Sequence, residues 1–71
     1  MNSEAYIHLL EEKAFLEQKT EKLEEFVREA RRGELAADAI THSDLELLEE
    51  QLHYMRGYLR VLNARIARFK A

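Results

Sequence analysis

The chain has 71 residues, with 14 acidic and 11 basic side chains, a net charge of −3 and no cysteine. This length allows one small domain, whose core alone supplies only about 3–5 kcal/mol. Without cysteine, neither disulfides nor thiolate metal sites can reinforce that core. We therefore expect the chain to be stabilised by association with further copies of itself.

Composition also bears on location and on partners. The acidic balance argues against binding to a nucleic acid polymer. No apolar run approaches the roughly 18 residues that a membrane span needs, and the first residues lack the basic and apolar segments of a signal peptide. Because cysteine is absent as well, the reducing cytoplasm is the expected location.

The first predicted helix covers about residues 3–31. Asn2 or Ser3 can cap its start, and Gly33 follows two arginines as a C-terminal stop in the left-handed conformation. One set of its heptad positions is Leu9, Leu16, Leu23 and Ala30, and the other is Tyr6, Lys13, Thr20 and Val27. The polar members of the second set usually specify register or oligomeric state. Alternatively, this helix lines a hydrated cleft.

Residues 32–43 are predicted to link the helices, with Leu35 and Ile40 folding back onto them. Ser43 and Glu46 form a capping box, so the second helix is predicted at about residues 44–70. This helix carries an unbroken apolar heptad with alternating steps of three and four, consisting of Leu45, Leu48, Leu52, Met55, Leu59, Leu62, Ile66 and Phe69. Such spacing keeps one apolar stripe on one side of a helix for about seven turns.

Two helices of similar length predict an all-α fold, a two-helix antiparallel hairpin that forms one domain over residues 1–71. Both helices have apolar residues beyond the shared seam, namely Ile7, Leu10, Phe15, Phe26, Leu47, Tyr54, Tyr58 and Val61. Apolar patches of this kind mark interfaces. We therefore predict a homo-oligomeric helical bundle, as a dimer, a tetramer or a larger closed ring.

The sequence offers little for catalysis or for metal binding. Glu50 and His53 have the spacing of di-iron carboxylate bundles, but the heptad places them opposite the apolar stripe, so a solvated face is expected. Ser3 and Ser43 are explained as caps, and no glycine-rich loop follows a strand. We predict neither an enzyme, nor a metal site, nor a cofactor.

Charge is divided unevenly along the chain. Residues 33–50 hold six acids and no base, whereas residues 51–71 hold five bases and no acid. Acids near the start of a helix and bases near its end interact favourably with the helix macrodipole, and each such charge stabilises the helix by about 0.3–1 kcal/mol. This interaction alone can explain the division. The division also leaves a cationic end that suits a small anionic ligand or an acidic partner.

The candidate ligand-binding residues lie along one flank of the second helix. They are Tyr54, Tyr58, Arg65 and Arg68, with Arg60 nearby. Aromatic rings stack on bases, and guanidinium groups bind phosphate bidentately. The same residue types are enriched in protein interfaces, and in an antiparallel hairpin Arg65 and Arg68 come near acids of the first helix. The flank is therefore either a nucleotide pocket between subunits or a protein interface.

The chain resembles a family of small bacteriophage proteins of unassigned role, the crAss-like phage protein-related family. Residues 22–26 read Lys-Leu-Glu-Glu-Phe, residues 47–58 contain Leu-Leu-x-x-Gln-Leu-x-x-Met-x-x-Tyr, and residues 62–66 read Leu-Asn-Ala-Arg-Ile. This resemblance covers most of the chain. It implies a phage origin and a helical hairpin, and it implies no activity.

Residues 63–68, Asn-Ala-Arg-Ile-Ala-Arg, are similar to the closing segment of phage cyclic-nucleotide sponge hairpins. That resemblance implies a small oligomer that binds a ligand between hairpins, with Arg65 and Arg68 in contact with it. We therefore predict a counter-defence protein that sequesters a cyclic nucleotide or an ADP-ribose-type signal in the host bacterial cytoplasm. The alternative is a self-associating coiled-coil module that binds a host or phage protein and no small ligand.

Overall fold

The computed structural model describes residues 3–35 and 39–70. Helix α1 spans Ser3–Arg31 and helix α2 spans His42–Lys70, and they pack antiparallel. Tyr6 lies against Phe69 at one end, with ring centroids 5.5 Å apart, and Arg31 pairs with Glu49 toward the other. The predicted all-α hairpin is confirmed. Neither helix, within the described residues, is apolar enough over a sufficient length to cross a bilayer.

The core is the seam between the two helices. Its buried apolar residues are Leu9, Leu16 and Val27 of α1 and Leu45, Leu52, Leu62 and Ile66 of α2. The half-buried ones include Tyr6, Leu23, Leu48, Met55, Leu59 and Phe69. Leu62 is 0% exposed and belongs to the buried cluster formed with Leu9, Leu16 and Ile66. Every residue that the heptads assign to the seam is therefore at least half-buried.

Thr20 is the one buried polar residue of the described chain. Its hydroxyl donates a 2.7 Å hydrogen bond to the carbonyl of Leu16, one turn earlier in the same helix. The hydroxyl therefore needs no water or partner across the seam. Lys13, at the preceding position of this set, is half-buried. The seam is closed at Thr20, so the hydrated-cleft alternative does not hold there.

Gly33 ends α1 in the left-handed conformation, with φ of 73°. Its N–H donates to the carbonyl of Ala30 at 3.1 Å, and the N–H of Glu34 donates to the carbonyl of Glu29 at 3.0 Å. These two bonds define a Schellman motif, which satisfies carbonyls that the helix end leaves free. Leu35 and Ile40 of the connection are half-buried, whereas residues 36–38 of the predicted link lie outside the described residues.

We expect Gly33→Ala to lower the free energy of unfolding by about 1 kcal/mol, because an L-residue strains at positive φ. Gly57 provides the matched control, since it lies inside α2 and a Cβ there meets nothing within 4 Å. Gly57→Ala should raise stability by about 0.5–1 kcal/mol. Urea unfolding followed by circular dichroism measures both, and equal shifts of the same sign would refute this explanation of Gly33.

Helix α2 begins at His42, two residues before the predicted start. The hydroxyl of Thr41 accepts a 3.0 Å hydrogen bond from the N–H of Asp44, so Thr41 is the N-cap. The prediction of Ser43 as the cap is wrong, because Ser43 already lies in the first turn. Asn2, the other candidate cap of α1, lies outside the described residues.

Candidate functional site

The two broad faces of the hairpin differ in chemistry. On the first, Nε of Arg31 donates to Glu49 at 3.0 Å, and Arg56 pairs with Glu24 at 3.2 Å. Both pairs cross from one helix to the other. The side-chain hydrogen bond from Arg31 lowers the pKa of Glu49 below its ordinary value. We refer to this side, which carries the inter-helix ion pairs, as the paired face.

The lowered pKa of Glu49 predicts how stability depends on pH. A carboxylate with a depressed pKa in the folded state stabilises the fold above its ordinary pKa of 4.5 and loses that contribution as the pH falls through the depressed value. Glu49→Gln should therefore show a shallower loss of unfolding free energy below pH 4.5 than the unsubstituted chain. Urea titrations across this range provide the measurement, and identical slopes would contradict the prediction.

The opposite side, which we refer to as the open face, carries large apolar side chains in solvent. Leu47 is 64% exposed, Tyr54 is 65% exposed and Phe15 is 60% exposed. The exposed large residues of this face are Phe15 and Phe26 of α1 and Leu47, Tyr54, Tyr58 and Val61 of α2. Ile7 and Leu10 are also exposed, but their heptad positions place them on the Glu24 flank of α1. The open face is therefore the main unpartnered apolar surface of α2.

A depression of 430 Å³ lies on the open face. Its lining consists of Leu47, Glu50, Gln51, Tyr54, Met55 and Tyr58. The hydroxyl of Tyr54 donates to Glu50 at 3.4 Å, while that of Tyr58 donates to the Glu12 carboxylate of α1. The bond to Glu12 is the main reason that the pKa of Tyr58 is raised. Both rings are held in place from their hydroxyl ends, and both line the depression.

The arginines of the described chain divide into those that form ion pairs and those, including Arg28 and the three of the predicted ligand set, that form none with a described residue. Arg31, Arg32 and Arg56 form ion pairs. The three arginines of the predicted ligand set, Arg60, Arg65 and Arg68, form none with any residue that the structure describes. The cationic end of α2 is therefore available to an anion from outside the chain.

Two of these arginines are placed relative to the tyrosines. Arg60 lines a second depression, of 600 Å³, together with Tyr54, Tyr58 and Val61. The charge of Arg65 lowers the pKa of Tyr58, against the larger raising effect of Glu12, and Arg65 follows Tyr58 by seven residues on the same side of α2. Arg68 lines neither depression. Tyr54, Tyr58, Arg60 and Arg65 thus form one neighbourhood, with Arg68 about one turn beyond Arg65.

Helix α1 contributes residues to the open face that the predicted site did not include. Glu12 accepts the hydrogen bond of Tyr58. Lys19 and Lys22 line a depression of 360 Å³ with Phe26 and, from α2, Gln51 and Met55, and the Lys19 ammonium lies 4.8 Å from the centroid of the Phe15 ring. These α1 positions, residues 12, 15, 19, 22 and 26, repeat in steps of three and four. The spacing alone could have predicted that these α1 residues lie on one side of the helix.

Glu50 and His53, the pair with metal-ligand spacing, are both exposed on α2. The His53 ring packs at 5.6 Å from that of Tyr54, and Glu50 accepts the hydrogen bond of the same tyrosine. Within residues 3–35 and 39–70, no three His, Cys, Asp or Glu side chains come together as a metal site would require. In this fold both residues contact Tyr54.

The model of the Sequestin family matches residues 4–68 of the chain. This range includes nearly all of both helices, the turn between them and every residue of the predicted ligand set. No curated protein and no solved structure matches the chain. The likeness to the crAss-like phage protein-related family stays a prediction.

Proposed function

The chain belongs to the Sequestin family, and on that premise we propose that it is a sequestering protein. In this proposal several copies form a homo-oligomer that captures a small anionic nucleotide where the copies meet. The protein is a phage counter-defence factor in the host bacterial cytoplasm, and the nucleotide is an immune signal of the cyclic-nucleotide or ADP-ribose type. Neither a metal nor a cofactor takes part.

The observation that carries this proposal is that tyrosines with exposed rings share a flank of α2 with arginines that form no ion pair within the described part of the chain. Tyr54 and Tyr58 offer ring faces of the kind on which bases stack at about 1–3 kcal/mol each, and Arg65 follows Tyr58 two turns later on the same flank of α2. Arg60, Arg65 and Arg68 bring three positive charges to this end of α2. Their excess positive charge favours a phosphate-bearing ligand.

The need for several copies follows from the shape of the hairpin. Ligand pockets usually enclose 70–90% of a small ligand, whereas both depressions beside the tyrosines lie on the outer surface of a single helix. A second copy against the open face would close them. It would also cover Leu47 and Phe15, whose exposure in an isolated hairpin is unfavourable.

Two further observations support capture rather than turnover. The family name denotes sequestration, and residues 63–68 are similar to the closing segment of phage cyclic-nucleotide sponges. Aromatic rings and guanidinium groups hold a nucleotide by stacking and by hydrogen bonding, and neither group is a usual nucleophile or general base at neutral pH. We therefore propose that the ligand is bound and released unchanged.

Calorimetric titration with cyclic dinucleotides, cyclic trinucleotides, ADP-ribose and cyclic ADP-ribose tests this proposal. We expect saturable heat from at least one of them, and mass spectrometry should recover that ligand intact. Titration to about 100 μM ligand saturates a site with a dissociation constant near 1 μM. The absence of heat from all four classes would refute the proposal, and recovery of a cleaved product would refute capture without turnover.

The extent of the apolar surface favours a second candidate function. Phe15 and Leu47 are well exposed, and a nucleotide needs few purely apolar contacts. In this alternative the open face binds a host or phage protein, as a coiled-coil module without a small ligand. Affinity purification from infected cells separates the two functions. If the protein captures a signal, heating the purified sample should release a nucleotide. If it is a binding module, a second polypeptide should copurify with it.

A further inference from the structure

Helix α2 carries a second heptad repeat on its outer side. Its members follow in steps of four and three: Leu47, Gln51, Tyr54, Tyr58, Val61, Arg65 and Arg68. We refer to this set as the outer stripe. All seven are exposed, and none belongs to the seam with α1. A repeat with this spacing is what a further helix packs against in a coiled coil, and the described chain supplies no such helix.

The charges of α2 favour one orientation of that further helix. The described acids of α2 lie in its first third, at residues 44, 46, 49 and 50, and its bases follow from residue 56 onward. Two copies packed in parallel would set Arg65 and Arg68 against the same residues of the other copy. An antiparallel pair instead sets Asp44 of each helix, which continues the spacing of the outer stripe, near the basic end of the other, which is electrostatically favourable.

We propose that two copies pack antiparallel along their outer stripes, around a two-fold axis at Arg56. Arg56 is the midpoint of α2 (residues 42–70), so residues equally far from it on either side face one another. Tyr54 then faces the partner's Tyr58, and Gln51 faces the partner's Val61. Farther out, Leu47 faces the partner's Arg65, and Asp44 faces the partner's Arg68.

This register matches chemistry at its centre and at its two ends. Two tyrosine pairs form the centre, and an aspartate–arginine pair closes each end. Neither Asp44 nor Arg68 has an ion-pair partner within the described part of one hairpin. The two residues are 24 positions apart on one helix, about 36 Å. Their pairing is therefore possible only between copies.

The antiparallel register also completes the binding site, and this step rests on the proposed function. The depression on the open face is lined by the Glu50 carboxylate and by no cation, so an anionic ligand there needs a positive charge from another copy. The partner's Arg65 lies opposite Leu47, so the partner places a guanidinium group at one end of the depression. Each dimer would then hold two equivalent sites beside the tyrosine layers, each between Leu47 of one copy and the phosphate-binding Arg65 of the other.

Charge exchange tests the arrangement without any nucleotide. Asp44→Arg alone and Arg68→Asp alone should each weaken the dimer about tenfold or more, because like charges then meet at both ends. Mixing the two variants should restore association, since every end again joins opposite charges. Sedimentation equilibrium gives the constants, and circular dichroism verifies that each variant is helical. Failure of the mixture to associate more tightly than either variant alone would overturn the arrangement.

Cysteine cross-linking gives a second measurement that does not depend on charge. The chain has no cysteine, so each introduced thiol is an unambiguous reporter. Leu47→Cys mixed with Arg65→Cys should give the mixed disulfide dimer on mild oxidation. Leu47→Cys alone should give little, because its two thiols lie about 27 Å apart along the antiparallel pair. Efficient cross-linking of Leu47→Cys alone would indicate a parallel pair and refute the proposal.

These measurements separate the arrangement from the proposed function. If the dimers are antiparallel but give no heat with any nucleotide, the proposed arrangement is upheld and the proposed function is refuted. Nucleotide binding by a parallel dimer would retain the function and remove the arrangement, whereas nucleotide binding by a monomer would remove both.

Discussion

Leu62→Ala is expected to lower the free energy of unfolding by about 3 kcal/mol, within the 2–5 kcal/mol range of buried leucine truncations. Leu62 is 0% exposed and lies in the cluster of Leu9, Leu16 and Ile66. The substitution removes buried apolar surface and leaves a cavity that rigid helices fill poorly. Because a core of this size supplies only about 3–5 kcal/mol, about 0–2 kcal/mol remains, and between a few per cent and about half of the variant should be unfolded at room temperature.

Equilibrium unfolding in urea, followed by circular dichroism at one protein concentration, measures this effect. Ile7→Ala is the matched control, because Ile7 is 52% exposed and lies outside both the seam and the outer stripe. Its substitution should change stability by less than about 0.5 kcal/mol. Similar losses for the two variants would mean that Leu62 does not anchor the seam.

The hairpin itself could be predicted from the sequence because its heptads report which side of each helix is buried. Leu45, Leu52 and Leu62 recur in steps that only a helix brings to one side, and all three are buried. Gly33 was equally informative, since a glycine after two arginines matches the chemistry of a helix end, and its φ of 73° agrees. Periodicity and local backbone chemistry need no knowledge of the partner helix.

The start of α2 was mispredicted because two capping patterns overlap. Thr41 precedes Asp44 by three residues, and Ser43 precedes Glu46 by three. Both pairs offer a hydroxyl acceptor followed by an acid in the first turn, which is the signature of a helix start. The choice depends on where the connection rejoins the hairpin. There Ile40 is half-buried, and Thr41 becomes the cap.

The partners of the candidate site could not be predicted, because they depend on the register and rotation of one helix against the other. Tyr58 and Glu12 are 46 residues apart and meet only when the seam is aligned. The same alignment brings Arg56 to Glu24 and leaves Arg65 without an ion pair among the residues described. The sequence predicted which residues share a flank of α2. It did not predict which of them would pair with a carboxylate of α1.

Arg65→Ala is expected to weaken nucleotide binding by roughly 10- to 150-fold, the effect of losing a hydrogen bond to a charged group. Arg65 is exposed and forms no ion pair with a residue that the structure describes, so the substitution exposes no buried acid and should leave the hairpin folded. Arg32→Ala is the matched control. It also removes one arginine, but Arg32 pairs with Glu34 at 3.4 Å beyond the end of α1 and away from the open face.

Calorimetry with the ligand that binds the unsubstituted chain, combined with sedimentation, distinguishes the roles of Arg65. Loss of binding with the dimer retained is the result that ligand contact requires. Loss of the dimer without nucleotide would instead assign Arg65 to the protein interface. If Arg32→Ala weakened nucleotide binding as much as Arg65→Ala, binding would depend on net charge alone. A guanidinium group that contacts the ligand should instead make Arg65→Ala the more damaging substitution.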